Sequence, residues 1–222
     1  MNQVLSLGDC NTLGEGECKG NAYPEQFAHL IGQRSCNCGY TMSTTREARY
    51  FFSDYYASNT NVVTLQYGLV DSWETFVWSP YVLYYPDNIL RKIARKIVKK
   101  YKKVCRRMGL HEKIGKSLVV NHAEFTQNLT EIIRLCRPET HIFLVETVPN
   151  QSCYRNPAIQ EYNQLIRNIA STDSRCHLIQ TYDYFMNNMD TLYADKTHVN
   201  LKGHQFIASK LAECYEQILL AR

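Results

Sequence analysis

Two short stretches at opposite ends of the chain hold residues that could do covalent chemistry. Near the start, Gly8-Asp9-Cys10 follows directly on an apolar run. A nucleophile on the turn after a strand lies exposed at the top of a sheet, beside a helix N-terminus that favours a developing negative charge. Near the end, Asp195 precedes His198 by three residues, so the carboxylate can reach the imidazole and fix its tautomer. These residue types are those of nucleophilic catalysis.

The segments between these stretches alternate short β-rich runs with helical patterns. We predict strands at 3–7, 35–38, 62–67, 140–147 and 176–180, and helices at 24–31, 44–56, 158–170 and 201–220. Strands separated by helices indicate parallel βαβ units. The expected fold is a three-layer α/β/α sandwich around a central, mainly parallel five-stranded sheet, in a single domain over residues 1–222. Functional residues of such sheets collect at the carboxyl ends of the strands.

Taken together, the two stretches resemble the SGNH (GDSL-type) hydrolase superfamily. Its first block is a Gly-Asp-Ser-x-x-x-Gly turn after strand one, matched here by GDCNTLG from residue 8. Its last block is an Asp-x-x-His followed by an Asn and a Gly-His pair, matched by DKTHVNLKGHQFIASKL from residue 195. The resemblance implies a flavodoxin-like fold with Cys10 as nucleophile, His198 as general base and Asp195 as orienting carboxylate. The layout is similar to members associated with bacterial polysaccharide biosynthesis.

The nucleophile position departs from the family pattern, which has serine where this chain has Cys10. A thiol is intrinsically more nucleophilic and more readily ionised than a hydroxyl, so a covalent acyl mechanism can be kept. A thioester intermediate also reacts comparatively well with amines and thiols. The substitution therefore raises the expectation of acyl transfer relative to hydrolysis.

The two middle blocks of the resemblance, which form the family's oxyanion hole, also depart from the pattern. In NCGYTM at 37–42, Met42 stands where the family has a glycine whose backbone N–H donates to the oxyanion. In GLVD at 68–71, Val70 replaces an asparagine donor. Losing one donor costs a serine enzyme about 10²–10³ in rate. Either Gln66, Tyr67 or Asn150 replaces it, or the hole is weak and the protein is slow, specialised for transfer or no longer catalytic.

The expected function is acyl ester hydrolysis of the esterase or deacetylase type, through a Cys-His-Asp triad and a thioester acyl-enzyme. The favoured substrate is an acylated carbohydrate or a similar polar conjugate, and the chemistry needs no metal or organic cofactor. The residues expected to form the oxyanion hole or bind substrate are Gly39, Met42, Gly68, Asp71 and Asn150. Two alternatives stay open: an acyltransferase with the same thioester, and a non-catalytic SGNH-fold scaffold that docks through a basic helix.

That basic helix lies in a helical insertion at about 73–123, which the resemblance does not cover. Its sequence, ILRKIARKIVKKYKKVCRRM at 89–108, has apolar residues at helical spacing, at positions 89, 90, 93, 97, 101, 104, 105 and 108. The other faces carry ten Lys and Arg residues. The whole chain has a net charge of +4, but without those ten it holds 15 basic against 21 acidic residues. The protein is therefore an acidic domain that carries one basic helix.

Three interpretations of the basic helix compete. Its apolar stripe can dock on the domain and leave a solvated charged face, with the aromatic run WETFVWSPYVLYYP at 73–86 packing beneath it. It can instead be attracted to an anionic membrane surface, where each basic residue contributes about 1 kcal/mol. Binding of a polyanionic glycan or of nucleic acid is the third, and nucleic acid is unlikely because no recognised motif accompanies the helix.

Composition excludes several other classes of protein. At 222 residues and 45% hydrophobic, the chain suits a globular core and is neither disordered nor collagen-like. The N-terminus has no basic region before its apolar run, so it does not resemble a secretory signal. Nine scattered cysteines without a CxxC pair favour reduced, buried thiols. We expect a cytoplasmic protein, peripheral at the membrane if the second interpretation of the helix holds.

Overall fold

The computed structural model describes residues 1–221, the side chain of His111 excepted. Within this range the strands are β1 (Gln3–Gly8), β2 (Arg34–Gly39), β3 (Thr60–Gln66), β4 (Glu74–Phe76), β5 (Lys116–Leu118), β6 (His141–Val145) and β7 (Cys176–Ile179). The helices are α1 (Cys10–Leu13), α2 (Tyr23–Leu30), α3 (Thr45–Tyr55), α4 (Ile89–Arg107), α5 (Leu110–Ile114), α6 (His122–Leu135), α7 (Asn156–Ala170), α8 (Tyr182–Asn187), α9 (Met189–Leu192) and α10 (Leu201–Leu220).

Five parallel strands form the central sheet in the order β2-β1-β3-β6-β7. The chain runs outwards from β1 to β2, crosses back to β3 on the other side of β1, and continues to β6 and β7. Ligand sites of such sheets lie outside the carboxyl ends of the strands where this reversal occurs, between β1 and β3. The predicted fold is confirmed, and each predicted strand lies within two residues of its expected bounds.

Two layers of helices bury the two faces of the sheet. Along β1, Val4 packs into the cluster formed with α2 and α10, and Leu5 packs into the cluster formed with α3, α6 and α7. This alternation follows from the two-residue period of a strand, which sends successive side chains to opposite faces. Both residues are fully buried. The three-layer sandwich follows because each face of β1 carries apolar side chains.

Polar caps set the beginnings of the long helices. The Thr44 hydroxyl accepts the backbone N–H of Arg46, and Glu47 accepts the backbone N–H of Thr44, which together cap α3. Asn200 caps α10 by accepting the N–H of Gly203 at 3.1 Å. Such side-chain acceptors satisfy N–H groups that have no partner within the helix. The helix predicted at 44–56 thus begins at Thr45, directly after the cap at Thr44.

The insertion forms a small subdomain of its own, tied together by the antiparallel pair β4 and β5. The predicted basic helix is present as α4, and most of its apolar stripe is exposed. Leu90 is 77% exposed and Ile97 is 64% exposed, and Cys105 is the buried residue of α4. The first interpretation holds only for one edge of the stripe, where Cys105 is buried and Tyr101 packs against Phe76 of the aromatic run. Among the described residues, no helix has the length and apolar character needed to cross a membrane.

Candidate active site

The first block forms a tight turn at the carboxyl end of β1. A side chain at Gly8 would overlap Thr12, because a Cβ there would lie 1.9 Å from the Thr12 hydroxyl oxygen. Asp9 follows and caps α1, accepting the backbone N–H of Asn11 at 2.9 Å. Burial raises the pKa of Asp9 to about 7. Cys10 is therefore held as the first residue of a helical turn at the top of the sheet.

The last block holds a histidine and a carboxylate in the expected relation. His198 Nδ1 lies 2.7 Å from Asp195 Oδ2, and Asp195 Oδ1 accepts the backbone N–H groups of Thr197 and His198. Burial acts to raise the pKa of Asp195, but the hydrogen bonds from the His198 ring and from these two N–H groups lower it to about 2. Asp195 thus stays ionised and fixes the imidazole orientation, leaving Nε2 for chemistry.

The structure brings Cys10 and His198 together, with Glu15 as a third member. The thiol sulfur, a ring nitrogen of His198 and a carboxylate oxygen of Glu15 lie within 4.8 Å of one another. Glu15 Oε2 is 3.4 Å from His198 Nε2, and its other oxygen accepts the Thr41 hydroxyl at 2.8 Å. Sulfur, nitrogen and oxygen donors of this kind suit zinc. Among the described residues this is the group whose donor atoms could hold a metal ion.

The surroundings of Cys10 are apolar and negatively charged. The side chain is 6% exposed and packs in a cluster with Leu69, Ile159 and Tyr182. Burial, and then the charges of Asp9 and Glu15, raise the pKa of the Cys10 thiol. The raised pKa favours the neutral form of the thiol, so any attack by this sulfur would need a base to remove the proton.

Asn11 joins the first block to the last, a role that the sequence did not reveal. Its side-chain oxygen accepts the backbone N–H of Val199 at 3.0 Å, and its amide donates to the Thr197 carbonyl at 3.2 Å. The loop on both sides of His198 is therefore fastened to the residue that follows Cys10. The sequence signal for this role was the position of Asn11 directly after Cys10, in a turn from which a side chain can reach a neighbouring loop.

In the second block, the two predicted residues have different surroundings. A Cβ at Gly39 would lie 2.1 Å from the backbone nitrogen of Leu13, and the Gly39 N–H already donates to the Asn37 side chain at 2.8 Å. Gly39 therefore allows β2 and α1 to approach closely. Met42 has a left-handed φ of 65°, a conformation that favours glycine. The backbone conformation of Met42 therefore agrees with the glycine that the family pattern has at this position.

In the third block, Gly68 and Asp71 make structural contacts. Gly68 has a φ of 134°, and a Cβ there would lie 2.7 Å from the Thr147 hydroxyl oxygen. Asp71 is buried and accepts both the backbone N–H and the hydroxyl of Thr45, which joins this loop to the start of α3. Burial raises the pKa of Asp71 to about 7. Val70 is buried as well, and it lines a cleft with Met42.

Two of the substitute donors for the missing asparagine make other hydrogen bonds, and the third is buried in the core. Asn150 donates to the Thr197 hydroxyl at 3.1 Å, one residue before His198. Gln66 is buried, where it accepts the Thr12 hydroxyl and donates to the Glu146 carbonyl. Tyr67 is 1% exposed within the main core. Asn150 therefore supports the histidine loop.

Arg155 is a charged group that the sequence did not single out, and it contacts Leu69, a packing neighbour of Cys10. It lies in a short 3₁₀ turn before α7, donates to the Leu69 carbonyl and stacks 4.9 Å over the ring of Trp73. Burial lowers the pKa of Arg155, whereas the nearby Asp9 and Cys10 raise it. A guanidinium in the neighbourhood of a thiol can stabilise negative charge that develops there. The predicted helix began at 158, so this turn was missed.

A cleft of about 860 Å³ extends from the second and third blocks to the basic helix. At one end it is lined by Met42 and Val70, the two positions that depart from the family pattern. At the other end the cations of α4 line it: Lys92, Arg95, Lys96, Lys99, Lys102, Lys103 and Arg106. Burial lowers the pKa of Lys102, as do the charges of Arg46 and Arg106. The cleft suits a ligand that carries negative charge.

Three comparisons with known proteins bear on this site. A search of curated proteins found no match to the sequence. Among solved structures the chain is similar to a lipase/acylhydrolase from Enterococcus faecalis, with 14% identity, coverage of 96% of this chain and 94% of that one, and a TM-score of 0.66. It is also similar to Axe2, an acetylxylan esterase from Geobacillus stearothermophilus, with 17% identity, coverage of 96% and 93%, and a TM-score of 0.63.

A third solved structure, LAE5, is an alpha/beta hydrolase enzyme from the metagenome of Lake Arreo, Spain. The chain shares 20% identity with it over 96% of this chain and 95% of that one, with a TM-score of 0.62. These likenesses support the fold described above. The profile of the GDSL-like lipase/acylhydrolase family matches residues 6–206, which hold both the Cys10 turn and the His198 loop. This chain therefore belongs to the GDSL-like lipase/acylhydrolase family.

Proposed function

We propose that the protein is an acyl ester hydrolase that uses Cys10 as nucleophile, His198 as general base and Asp195 as orienting carboxylate. One observation carries the proposal. The His198 ring is anchored through Nδ1 to Asp195 at 2.7 Å, and a ring nitrogen lies within 4.8 Å of the Cys10 sulfur. A nucleophile, a base and its orienting group follow one another in this order in a catalytic triad. Family membership supports hydrolysis as the reaction class.

The reaction follows from these groups. His198 Nε2 takes the thiol proton as the Cys10 sulfur attacks the acyl carbonyl, and a tetrahedral intermediate forms. The intermediate collapses to a thioester as the C–O bond breaks, and the imidazolium gives its proton to the departing oxygen. Water, deprotonated by His198, then attacks the thioester and releases the acid and the thiol. Each cycle consumes one water and needs no oxidant or cofactor.

The oxyanion is stabilised by Arg155 in this proposal. Val70 has no hydrogen-bond donor in its side chain, whereas the guanidinium of Arg155 lies near enough to Cys10 for the two charges to influence each other. A charge-assisted donor in a largely buried site is roughly twice as strong as a neutral one. Arg155 can therefore replace the missing asparagine.

The substrate proposed here is an acylated carbohydrate, or a similar polar conjugate, that carries negative charge. The cleft beside the site is lined by cations of α4 and by aromatic side chains of the insertion, among them Trp73, Tyr81 and Tyr84. Aromatic rings suit sugar faces and cations suit carboxylates or phosphates. The similarity to an acetylxylan esterase supports an acylated polysaccharide as the substrate class.

A second candidate is acyl transfer from the same thioester to a hydroxyl or amine acceptor. The burial of Cys10, which is 6% exposed among apolar neighbours, favours it. A thioester shielded from water survives longer and can wait for a better nucleophile. Hydrolysis remains the first proposal because the family is one of hydrolases.

Burst kinetics with p-nitrophenyl acetate test the proposal. The unmodified protein should release nitrophenolate in a burst close to one equivalent per chain, followed by slower turnover, with EDTA present to keep metal from Cys10. Cys10→Ala should abolish the burst, and Cys153→Ala, which removes an exposed cysteine, should keep it. Faster turnover with an added amine or glycerol would assign the second candidate. Absence of a burst with every short acyl ester would instead support a non-catalytic scaffold.

A further inference from the structure

We propose that α4 docks the protein on the surface of an anionic lipid bilayer. Leu90, Ile93, Ile97, Tyr101, Val104 and Met108 form a continuous apolar stripe along the helix, here called the outward row. Each of these side chains is between 46% and 77% exposed. Their spacing of three or four residues keeps them within an arc of about 80°. This inference goes beyond the proposed catalysis and does not depend on it.

The outward row is separate from the side of α4 that faces the domain. Cys105 is buried, and Ala94 and Val98 are half-buried. At 100° per residue these three positions continue the same apolar arc, centred about 80° to one side of the outward row. The helix is therefore held along one edge of its apolar arc, and the larger part of that arc faces outwards. Within residues 1–221, Phe76 packs edge-on against Tyr101 of the row with ring centroids 6.1 Å apart, and the row is otherwise left largely exposed, so it is available to a surface outside the chain.

The cations of α4 are free to bind an anionic surface. The helix has no acidic residue of its own. Lys92 and Arg95 pair with Asp87 at 3.3 and 2.5 Å, and no carboxylate of the described residues forms an ion pair with its other eight cations. Lys100 and Arg107 lie on the edge of the outward row and do not line the cleft. When the outward row is inserted in the membrane, Lys100 and Arg107 are positioned to contact the lipid headgroups beside it.

A bilayer surface uses both features of the helix at once. An amphipathic helix with Lys and Arg beside a broad apolar stripe lies in the membrane interface, with its apolar face in the boundary between headgroups and acyl chains. A polyanionic glycan or a nucleic acid would bind the cations and leave six large apolar side chains in water. At 19 residues, α4 is long enough to lie along such a surface.

Docking on the outward row leaves the cleft beside α4 open. The cleft is lined by the flank of α4 that carries Lys96, Lys99 and Lys103, and by none of the outward row. If the proposed function holds, membrane docking brings this flank beside the lipid surface. Substrates anchored in or near that surface would then be within reach, which narrows the proposed substrate class to membrane-associated conjugates.

Vesicle co-sedimentation tests the docking with the full chain. We expect binding to vesicles of phosphatidylcholine mixed with phosphatidylglycerol, and little binding to phosphatidylcholine alone. The variant Leu90→Gln/Ile97→Gln/Val104→Gln keeps every charge and should weaken binding roughly a hundredfold or more. Lys100→Gln/Arg107→Gln should weaken it roughly tenfold or more, because each cation adds to the attraction. A matched control, Leu30→Gln with Leu135→Gln, removes exposed apolar side chains elsewhere and should bind normally.

Two results would overturn the proposal. If the outward-row variant binds anionic vesicles as well as the unmodified protein does, the apolar row contributes nothing and the cations act alone. The partner is then a soluble polyanion, which binding of dextran sulfate would reveal. If no vesicle binds, size-exclusion chromatography of the unmodified protein and the outward-row variant would show whether a second copy covers the row. Turnover of p-nitrophenyl acetate should be unchanged in the outward-row variant, so failed folding and failed docking are told apart.

Discussion

The side-chain oxygen of Asn11 accepts the backbone N–H of Val199 at 3.0 Å, across 188 residues of chain. The residue after the proposed nucleophile thus holds the loop of the proposed base. Both members of this bond are buried. The distance between Cys10 and His198 is therefore set by a direct connection between their neighbours, as well as by the fold as a whole.

Asn11→Ala should lower the rate of acylation by roughly tenfold to a hundredfold and destabilise the protein by about 1–3 kcal/mol, because a buried N–H and a half-buried carbonyl lose their partners. Asn11→Asp keeps the acceptor for Val199 and should recover part of the rate. Stopped-flow burst kinetics measure the rate, and denaturant unfolding measures the stability. Asn59→Ala, at an exposed side chain, is the control. Equal rates in all variants would show that Asn11 has no role in positioning the base.

Alkylation of Cys10 by iodoacetamide should be slow at pH 7 and should rise with pH. Burial and the charges of Asp9 and Glu15 raise the pKa of the thiol above its usual value, so the reactive thiolate increases about tenfold per pH unit up to at least pH 9. Peptide mass mapping separates Cys10 from the exposed Cys153. A rate at Cys10 that is already high and flat between pH 6 and 9 would reveal a preformed thiolate–imidazolium pair.

Glu15→Gln should speed the same alkylation at pH 8. It removes one of the negative charges that raise the pKa of Cys10, so the thiolate fraction increases. Glu17→Gln is a close control, because Glu17 acts on the pKa of Cys18 instead. A slower reaction in Glu15→Gln than in Glu17→Gln would mean that Glu15 assists ionisation of Cys10 through the His198 imidazolium.

Asp195→Asn should lower the turnover number by roughly 10³–10⁴ while substrate still binds, because the imidazole loses the carboxylate that fixes its tautomer. The ionised form of Asp195 persists down to about pH 2, so the loss should be the same throughout the neutral range. Steady-state kinetics on p-nitrophenyl acetate give the turnover number and KM. A fall in rate of less than tenfold would remove Asp195 from the triad.

Arg155→Met should lower the turnover number by about 10²-fold with little change in KM, since the charge acts on the intermediate rather than on the bound ester. Arg155→Lys keeps a cation and should restore part of the rate. The comparison uses single-turnover acylation, with thermal unfolding to detect a loss of the hydrogen bond to Leu69. If the two variants are equally slow, the guanidinium acts through its contacts with Leu69 and Trp73 rather than through its charge.

The sequence predicted the fold and the proposed triad because both depend on local patterns. The strand before Gly8, the spacing between Asp195 and His198, and the apolar period of α4 can each be seen within a few residues. The burial of Cys10 and the position of Glu15 depend instead on the packing of distant loops. Arg155 was missed for the same reason, since its 3₁₀ turn carries no periodic pattern and its partners lie on another loop.

The exposure of the outward row could not be predicted from the sequence either. An amphipathic period indicates that a helix has an apolar face, but it does not say which surface that face meets. Most of the apolar arc stays exposed because the domain covers α4 along one edge of it, at the buried or half-buried Ala94, Val98 and Cys105. The spacing along the chain gives the width of the arc but not which part of it is covered.

The most direct test of the central claim is the intact mass of the protein after brief reaction with p-nitrophenyl acetate and quenching in acid. The proposed thioester predicts a gain of one acetyl group, which peptide mapping assigns to Cys10 and which Cys10→Ala abolishes. His198→Ala should form this adduct far more slowly. An acetyl group that maps to another residue, or that forms equally in Cys10→Ala, would contradict a covalent mechanism through Cys10.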